Sequence, residues 1–293
     1  MKTLRDVLQE CREKRVALGH FNISDLAGLK AIFAAARELG LPIMIGVSEG
    51  EREFVGVRQA AALVKSLREE FDYPIFLNAD HTHSVEKIEE AVRAGFDEVL
   101  FDAGKLPFDE NVKETKRAVE IAKSINPNVI VEGELGWIGS SSAIMENVPE
   151  GAALTAEMLT TPDEAKQFVE ATKVDVLAPA VGNMHGLLAS MVTGETHKEL
   201  NIVRIAELAG ATSSFLTLHG GSGTADDGFV NAVKAGITII HVNTEIRLAW
   251  RRGVEAGLAK DANEVTPYKI LTPAVEKVQE VVKNRLKLFN GLT

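Results

Sequence analysis

Short apolar runs recur along this chain with amphipathic segments between them, and that alternation limits the possible folds more than any other feature. The runs are Val16–Phe21, Pro42–Ser48, Pro74–Asp80, Glu98–Ala103, Val129–Leu135, Val174–Ala180, Phe215–His219 and Ile239–Thr244. Between them, apolar residues take helical spacing over Asp25–Leu39, Arg58–Glu69, Val85–Ala94, Glu110–Lys123, Pro162–Ala171, Glu199–Leu208 and Asp226–Lys234. Near-continuous apolar runs read as strands buried on both faces, and parallel strands need a crossover helix each. Eight strand–helix units in 293 residues predict an α/β fold, one (β/α)8 TIM barrel domain over residues 1–293. Helices Thr3–Lys14 and Pro273–Leu288 are extra to it, at the N- and C-terminal ends. Gly40, Gly95, Gly210 and Gly236 follow helical runs and are expected as C-caps.

Charge narrows the partners. Lys plus Arg is 32 against 42 Asp plus Glu, a formal net charge of -10. Nucleic acid and anionic membranes both want a basic surface, so neither is expected as a partner. An anionic substrate would need local positive charge from a metal, an arginine or helix N-termini. The single cysteine, Cys11, excludes an internal disulfide and a Cys-based zinc knuckle, and its helical setting predicts a small buried apolar group. Met1–Asp6 does not read as a signal peptide and no apolar run reaches membrane-spanning length, so a cytoplasmic location is expected.

Polar residues concentrate at the carboxyl ends of the runs, where α/β proteins carry chemistry. The third run ends Asp80-His81, the seventh His219-Gly220-Gly221-Ser222-Gly223, and Gly182-Asn183-Met184-His185-Gly186 follows the sixth. Any one of these histidines alone reads more readily as a structural residue. Three imidazoles converging on one rim, with an open position between them, are the pattern of a catalytic zinc. The Gly-Gly-Ser-Gly turn precedes a helix, so its backbone N–H groups are suited to an anion, although a simple tight turn has the same sequence. Gly136–Ala153 is a long polar Ser/Gly-rich stretch after the fifth run, expected as a functional loop over the same rim.

Taken together, these segments resemble the class II, metal-dependent ketose-bisphosphate aldolases. The matching stretches are His20-Phe21-Asn22, Val47-Ser48-Glu49-Gly50, Asn78-Ala79-Asp80-His81, Phe101-Asp102, Val131–Gly136, Gly182–Gly186, His219–Gly223 and Asn243–Arg247, in family order. The resemblance implies cleavage of fructose 1,6-bisphosphate, or a relative, to dihydroxyacetone phosphate and an aldehyde such as glyceraldehyde 3-phosphate. It implies Zn2+ on His81, His185 and His219, with Asp102 and Glu134 near an alternative or second, monovalent or divalent, cation. It implies Asp80 as acid/base at the C4 hydroxyl and Asn22 and Ser48 as substrate contacts. Gly186, Gly220, Ser222 and Thr244 match the phosphate cradle, and Arg247 a position that reaches the distal phosphate. A homodimer or tetramer is the family's expectation. The chemistry agrees: retro-aldol cleavage needs a base and a sink for the enediolate, and a Lewis acid makes a Schiff-base lysine unnecessary.

The chain departs from the family pattern around the phosphates. Ile239 and His241 stand where Lys-x-Asn is usual, Leu187-Leu188-Ala189-Ser190 where a lysine is usual, and Asn243 where fructose-specific members often have Asp. Two readings of His241 follow: a protonated imidazole replacing lost lysine charge, or a ring that packs the barrel mouth. The long loop has Gly139-Ser140-Ser141-Ser142 in place of Gly-Gly-Glu-Glu, leaving Glu146 or Glu150 as a second acid at C3, with Glu146 preferred. Two other functions fit parts of the pattern. His81-Thr82-His83 suggests a metal-dependent barrel hydrolase, and the missing lysines suggest a non-catalytic phosphosugar-binding barrel.

Overall fold

The computed structural model describes residues 2–139, 142–148 and 158–292. Among these residues ten strands are formed: β1 Leu18–Asn22, β2 Ile43–Val47, β3 Ile75–Thr82, β4 Glu98–Phe101, β5 Ile130–Leu135, β6 Ile144–Met145, β7 Val176–Pro179, β8 Leu187–Leu188, β9 Phe215–Leu218 and β10 Ile237–Val242. Eight close a barrel in the order β1-β10-β9-β7-β5-β4-β3-β2, every pairing parallel. Each of the eight expected runs is one of these strands, shifted by a residue or two. The two-stranded pair β6–β8 lies within stretches read as loop, being too short to leave a periodic signal.

Alternation along each strand separates outside from inside. Outward residues such as Phe21, Ile45, Leu77, Val99, Val131, Leu177 and Val242 join the surrounding helices in the main core. Inward residues form three levels. The lowest is apolar: Leu18, Met44, Phe76, Ile130, Val176, Phe215 and Ile239 pack against Leu4, Leu8 and Cys11 of the first helix, Leu4–Lys14. That helix plugs the amino end of the barrel, and Cys11 is buried with its thiol pushed up to about 12 by burial, as an inert core group should be. Two residues further along each strand the level turns polar, with His20, Asn78, Glu132, Thr217 and His241 all buried. Two further on come Asn22, Asp80, Glu134 and His219, at the carboxyl rim.

Caps mark the helix ends. Gly40 (φ 66°), Gly95 (φ 95°) and Gly236 (φ 131°) follow helices as C-caps. Gly210 does not: the helix Ile202–Ala211 continues through it and is capped at Thr212, whose hydroxyl donates to the Leu208 carbonyl at 3.1 Å. Helices Glu49–Val55 and Thr244–Lys260 follow β2 and β10, two segments whose helical pattern was not distinguished in the sequence. No described helix is long and apolar enough to cross a membrane.

Candidate active site

A bulge at the end of β3 gives the rim its geometry. Against β4, Ala79 pairs with Val99 but Thr82 pairs with Phe101, so one extra residue is inserted on β3. His81 takes φ 36°, a left-handed conformation costly for a side chain with a Cβ and characteristic of functional positions. The bulge lets consecutive residues Asp80 and His81 both serve one cavity.

That cavity is lined by Asn22, Ser48, Asp80, His81, Asp102, His185, Gly186, His219, Gly220, Ser222, His241, Asn243, Thr244 and Arg247, all expected from the sequence. Glu49, Gly50, His83 and Ser142 complete the lining. Glu134 lies behind it, buried, in reach of His81 Nδ1 at 3.9 Å. Glu146 does not line it; it is exposed, immediately after β6. Glu150 lies outside the described residues.

His81, His185 and His219 each offer a ring nitrogen within 4.8 Å of the others. His81 Nε2, His185 Nε2 and His219 Nδ1 are buried and accept or donate no hydrogen bond. Their opposite nitrogens are held where they can be: His81 Nδ1 meets Asp102 Oδ2 at 2.8 Å and His219 Nε2 meets Glu132 Oε1 at 2.8 Å. A carboxylate fixing the far nitrogen of a histidine is the usual support for a metal ligand. Burial pushes His219 down to about 3 and His185 well below its usual range, so both rings are neutral with lone pairs to donate. His81 goes the other way: burial lowers it, but Asp80 and Asp102 outweigh that and raise it to about 10, so a metal ion would displace its proton. With that proton released, the three-nitrogen donor set fits a zinc-type ion. His81, Asp102 and Glu134 form an adjacent group that could also take a cation. His83 joins no such group among the described residues; its ring is exposed and meets the Asp102 carbonyl, so no His-x-His metal pair is formed.

Asp80 sits beside this triad. Its Oδ2 accepts from Asn22 Nδ2 at 2.9 Å, while Oδ1 makes no hydrogen bond and lies 3.8 Å from His81 Nε2. Burial favours the neutral acid, but His81 and a contact from His241 outweigh it and hold the carboxyl well below the usual carboxylate range. Glu134 goes the other way: burial, then Asp102, raises it well above normal. Adjacent carboxyls driven apart are suited to opposite proton roles.

His241 stacks on His20, ring centroids 3.5 Å apart at 12°, and burial lowers its pKa to about 3. Burial therefore favours a neutral ring at His241, which lines the cavity, over a protonated one standing in for a lysine. Gly46 makes the room, since a Cβ there would lie 2.0 Å from the His20 ring.

Several contributors were not legible as site residues. Glu51 Oε2 accepts from Asn22 at 2.8 Å and from the Ser48 backbone at 2.8 Å, and its Oε1 from Arg247 at 2.7 Å. The only signal was the Ser48-x-x-Glu51 capping box. Buried Arg52 donates to the carbonyls of Val47 at 2.5 Å and Asp80 at 3.0 Å, and to Thr82 Oγ1 at 2.9 Å, joining the ends of β2 and β3. Glu98 and Glu132 share the barrel interior below His219. Burial raises both, followed by Glu132 for the first and Asp80 for the second.

The family model described as fructose-bisphosphate aldolase class-II matches residues 2–292. A fructose-bisphosphate aldolase of Geobacillus stearothermophilus is 34% identical over 292 residues, covering 99% of this chain and 96% of that protein. A probable fructose-bisphosphate aldolase of Bacillus subtilis is likewise 34% identical over 292 residues, at 99% and 97% coverage. Among solved structures, the YdjI aldolase from Escherichia coli K12 superposes with a TM-score of 0.81 at 26% identity, over 98% of this chain and 96% of that one.

Proposed function

The chain belongs to the class-II fructose-bisphosphate aldolase family of carbon–carbon lyases, and from that premise we propose that it reversibly cleaves fructose 1,6-bisphosphate to dihydroxyacetone phosphate and glyceraldehyde 3-phosphate. The observation that carries this reading is a trio of buried imidazole nitrogens without protein partners, beside the carboxylate of Asp80. Zinc is the proposed ion on His81, His185 and His219, with Asp102 and Glu134 as an alternative or second position beside His81. When bound, the ion supplies Lewis-acid stabilisation of the enediolate that cleavage leaves.

The protein's own groups do the rest. Asp80 takes the proton from the C4 hydroxyl as the C3–C4 bond breaks, with Oδ1 free to receive it and Oδ2 oriented by Asn22. Ser48 and Asn22, fixed by Glu51, contact substrate hydroxyls. Gly186, Gly220, Ser222 and Thr244 hold one phosphate, with Asn243 beside them at the start of the helix Thr244–Lys260. Arg247 meets the distal phosphate, and Glu146 serves as the acid/base at C3. We take residues 1–293 as one barrel domain acting as a homo-oligomer. A coupled assay of zinc-loaded protein for triose phosphate release tests the reaction. Turnover of fructose 1,6-bisphosphate is expected; no cleavage of any ketose bisphosphate would sink the reading.

A further inference from the structure

The cavity that would take a phosphate has few cationic side chains. Among the described residues that line it, Arg247 is the arginine and there is no lysine. A positive charge lies directly behind it. Lys198 is 5% exposed, and its ammonium sits between the turn that follows β7 and the turn that follows β9. Nζ donates to the carbonyls of Met184 at 2.7 Å, Gly186 at 2.7 Å and Gly220 at 2.9 Å, and to that of Ser222. Burial pulls the ammonium down to about 7, and four carbonyl acceptors around three protons give every proton of the cation a partner. The backbone of Lys198 is tied to the same turn, its N–H donating to the Gly223 carbonyl at 2.9 Å.

The approach of the two turns is built into the chain. At Gly220 (φ 61°) a Cβ would lie 2.2 Å from the Met184 carbonyl oxygen, so only glycine allows the carbonyls to converge there. Gly186, Gly220 and Ser222 each point a carbonyl at Lys198 and also line the cavity. Their own N–H groups find no acceptor among the described residues. The neighbouring amides are all engaged: His185 to Ile138, Leu187 to Ala143, Gly221 to His241 and Gly223 to Glu245.

We propose that Lys198 is a positioning residue for phosphate binding: an internal cation that draws the carbonyls of both turns inward and leaves the N–H groups of Gly186, Gly220 and Ser222 for the anion. It touches no substrate atom. It supplies from behind the charge that Ile239 and the Leu187–Ser190 run do not supply in front. The proposal rests on the phosphosugar reading of this site. It also implies that the protein needs no dissolved cation here, because carbonyl cages of this kind otherwise hold an ion such as potassium.

Lys198→Met removes the charge at nearly constant length. With metal-loaded protein, calorimetry with glycerol 3-phosphate as the probe is expected to show affinity at least tenfold weaker than wild type. The loss in fructose 1,6-bisphosphate turnover should fall on KM more than on kcat. Ammonium or potassium chloride should restore part of both, relative to tetramethylammonium chloride at equal ionic strength, by refilling the cage. Unchanged glycerol 3-phosphate affinity in the variant overturns the proposal, as does wild type that does not bind the probe. The wild type gives a reading that needs no variant. Its affinity for the probe should be indifferent to exchanging potassium for tetramethylammonium, and a wild type that weakens without small cations overturns the proposal. Probe binding that depends on Lys198, in a protein that cleaves no ketose bisphosphate, would sink the aldolase reading and support the role of Lys198.

Discussion

Asp80 divides its two oxygens between a structural contact and an open position. One is held by Asn22, and the other faces the histidine triad without a hydrogen bond. Asp80→Asn preserves the shape and removes the basic oxygen. Turnover is expected to fall by roughly a hundredfold to ten-thousandfold, the usual worth of a positioned general base. Metal content should stay at the wild-type level by elemental analysis. Near-normal kcat with metal bound would show that another group takes the proton. At this scale the sequence marked most of the residues that line the cavity, because His and Asp beside Gly at strand ends have few structural reasons to be there. Arg52 and Lys198 were silent, and Glu51 showed only its capping-box spacing. They lie on a helix or in a loop segment, where charged residues read as a solvated face, and their burial becomes evident only when segments distant in sequence meet.

Elements decide how those side chains are presented. The β3 bulge turns His81, and the β6–β8 pair fastens the segment after β5 beside the turn that carries His185. The Arg247 guanidinium also donates to the Ser142 carbonyl at 3.3 Å, so this segment and the rim are joined. Glu146 follows β6 on the exposed side, and a role at C3 requires the segment to bring it inward, as lids do. Glu146→Gln should then slow proton exchange at C3 of dihydroxyacetone phosphate by about a hundredfold or more, followed by NMR in deuterated buffer. Unchanged exchange there, with a loss in Glu150→Gln, would assign the proton to Glu150. All eight barrel strands were readable because each combines an apolar outward face with turn residues on either side. Bulges and two-residue strands were not, since they depend on which neighbour a strand meets.

Across the whole molecule, the proposed metal site lies apart from the packing that holds the fold. The histidine triad sits on the rim, while the main core and the plugged amino end lie below it. Removing the metal should abolish cleavage and leave the far-ultraviolet circular dichroism intact. The melting temperature should drop by only a few degrees, since an ion at a hundred times its Kd contributes about 2.7 kcal/mol. Loss of the helical signal on chelation would make the ion a structural one. The ring closes through β1 and β10, with Leu18 opposite Ile239 and His20 opposite His241. Asn22, at the start of the sequence, and Thr244, near its end, therefore border the same cavity. A growing chain on the ribosome has no complete cavity until β10 has emerged, so unfinished copies cannot compete with finished ones for sugar phosphate.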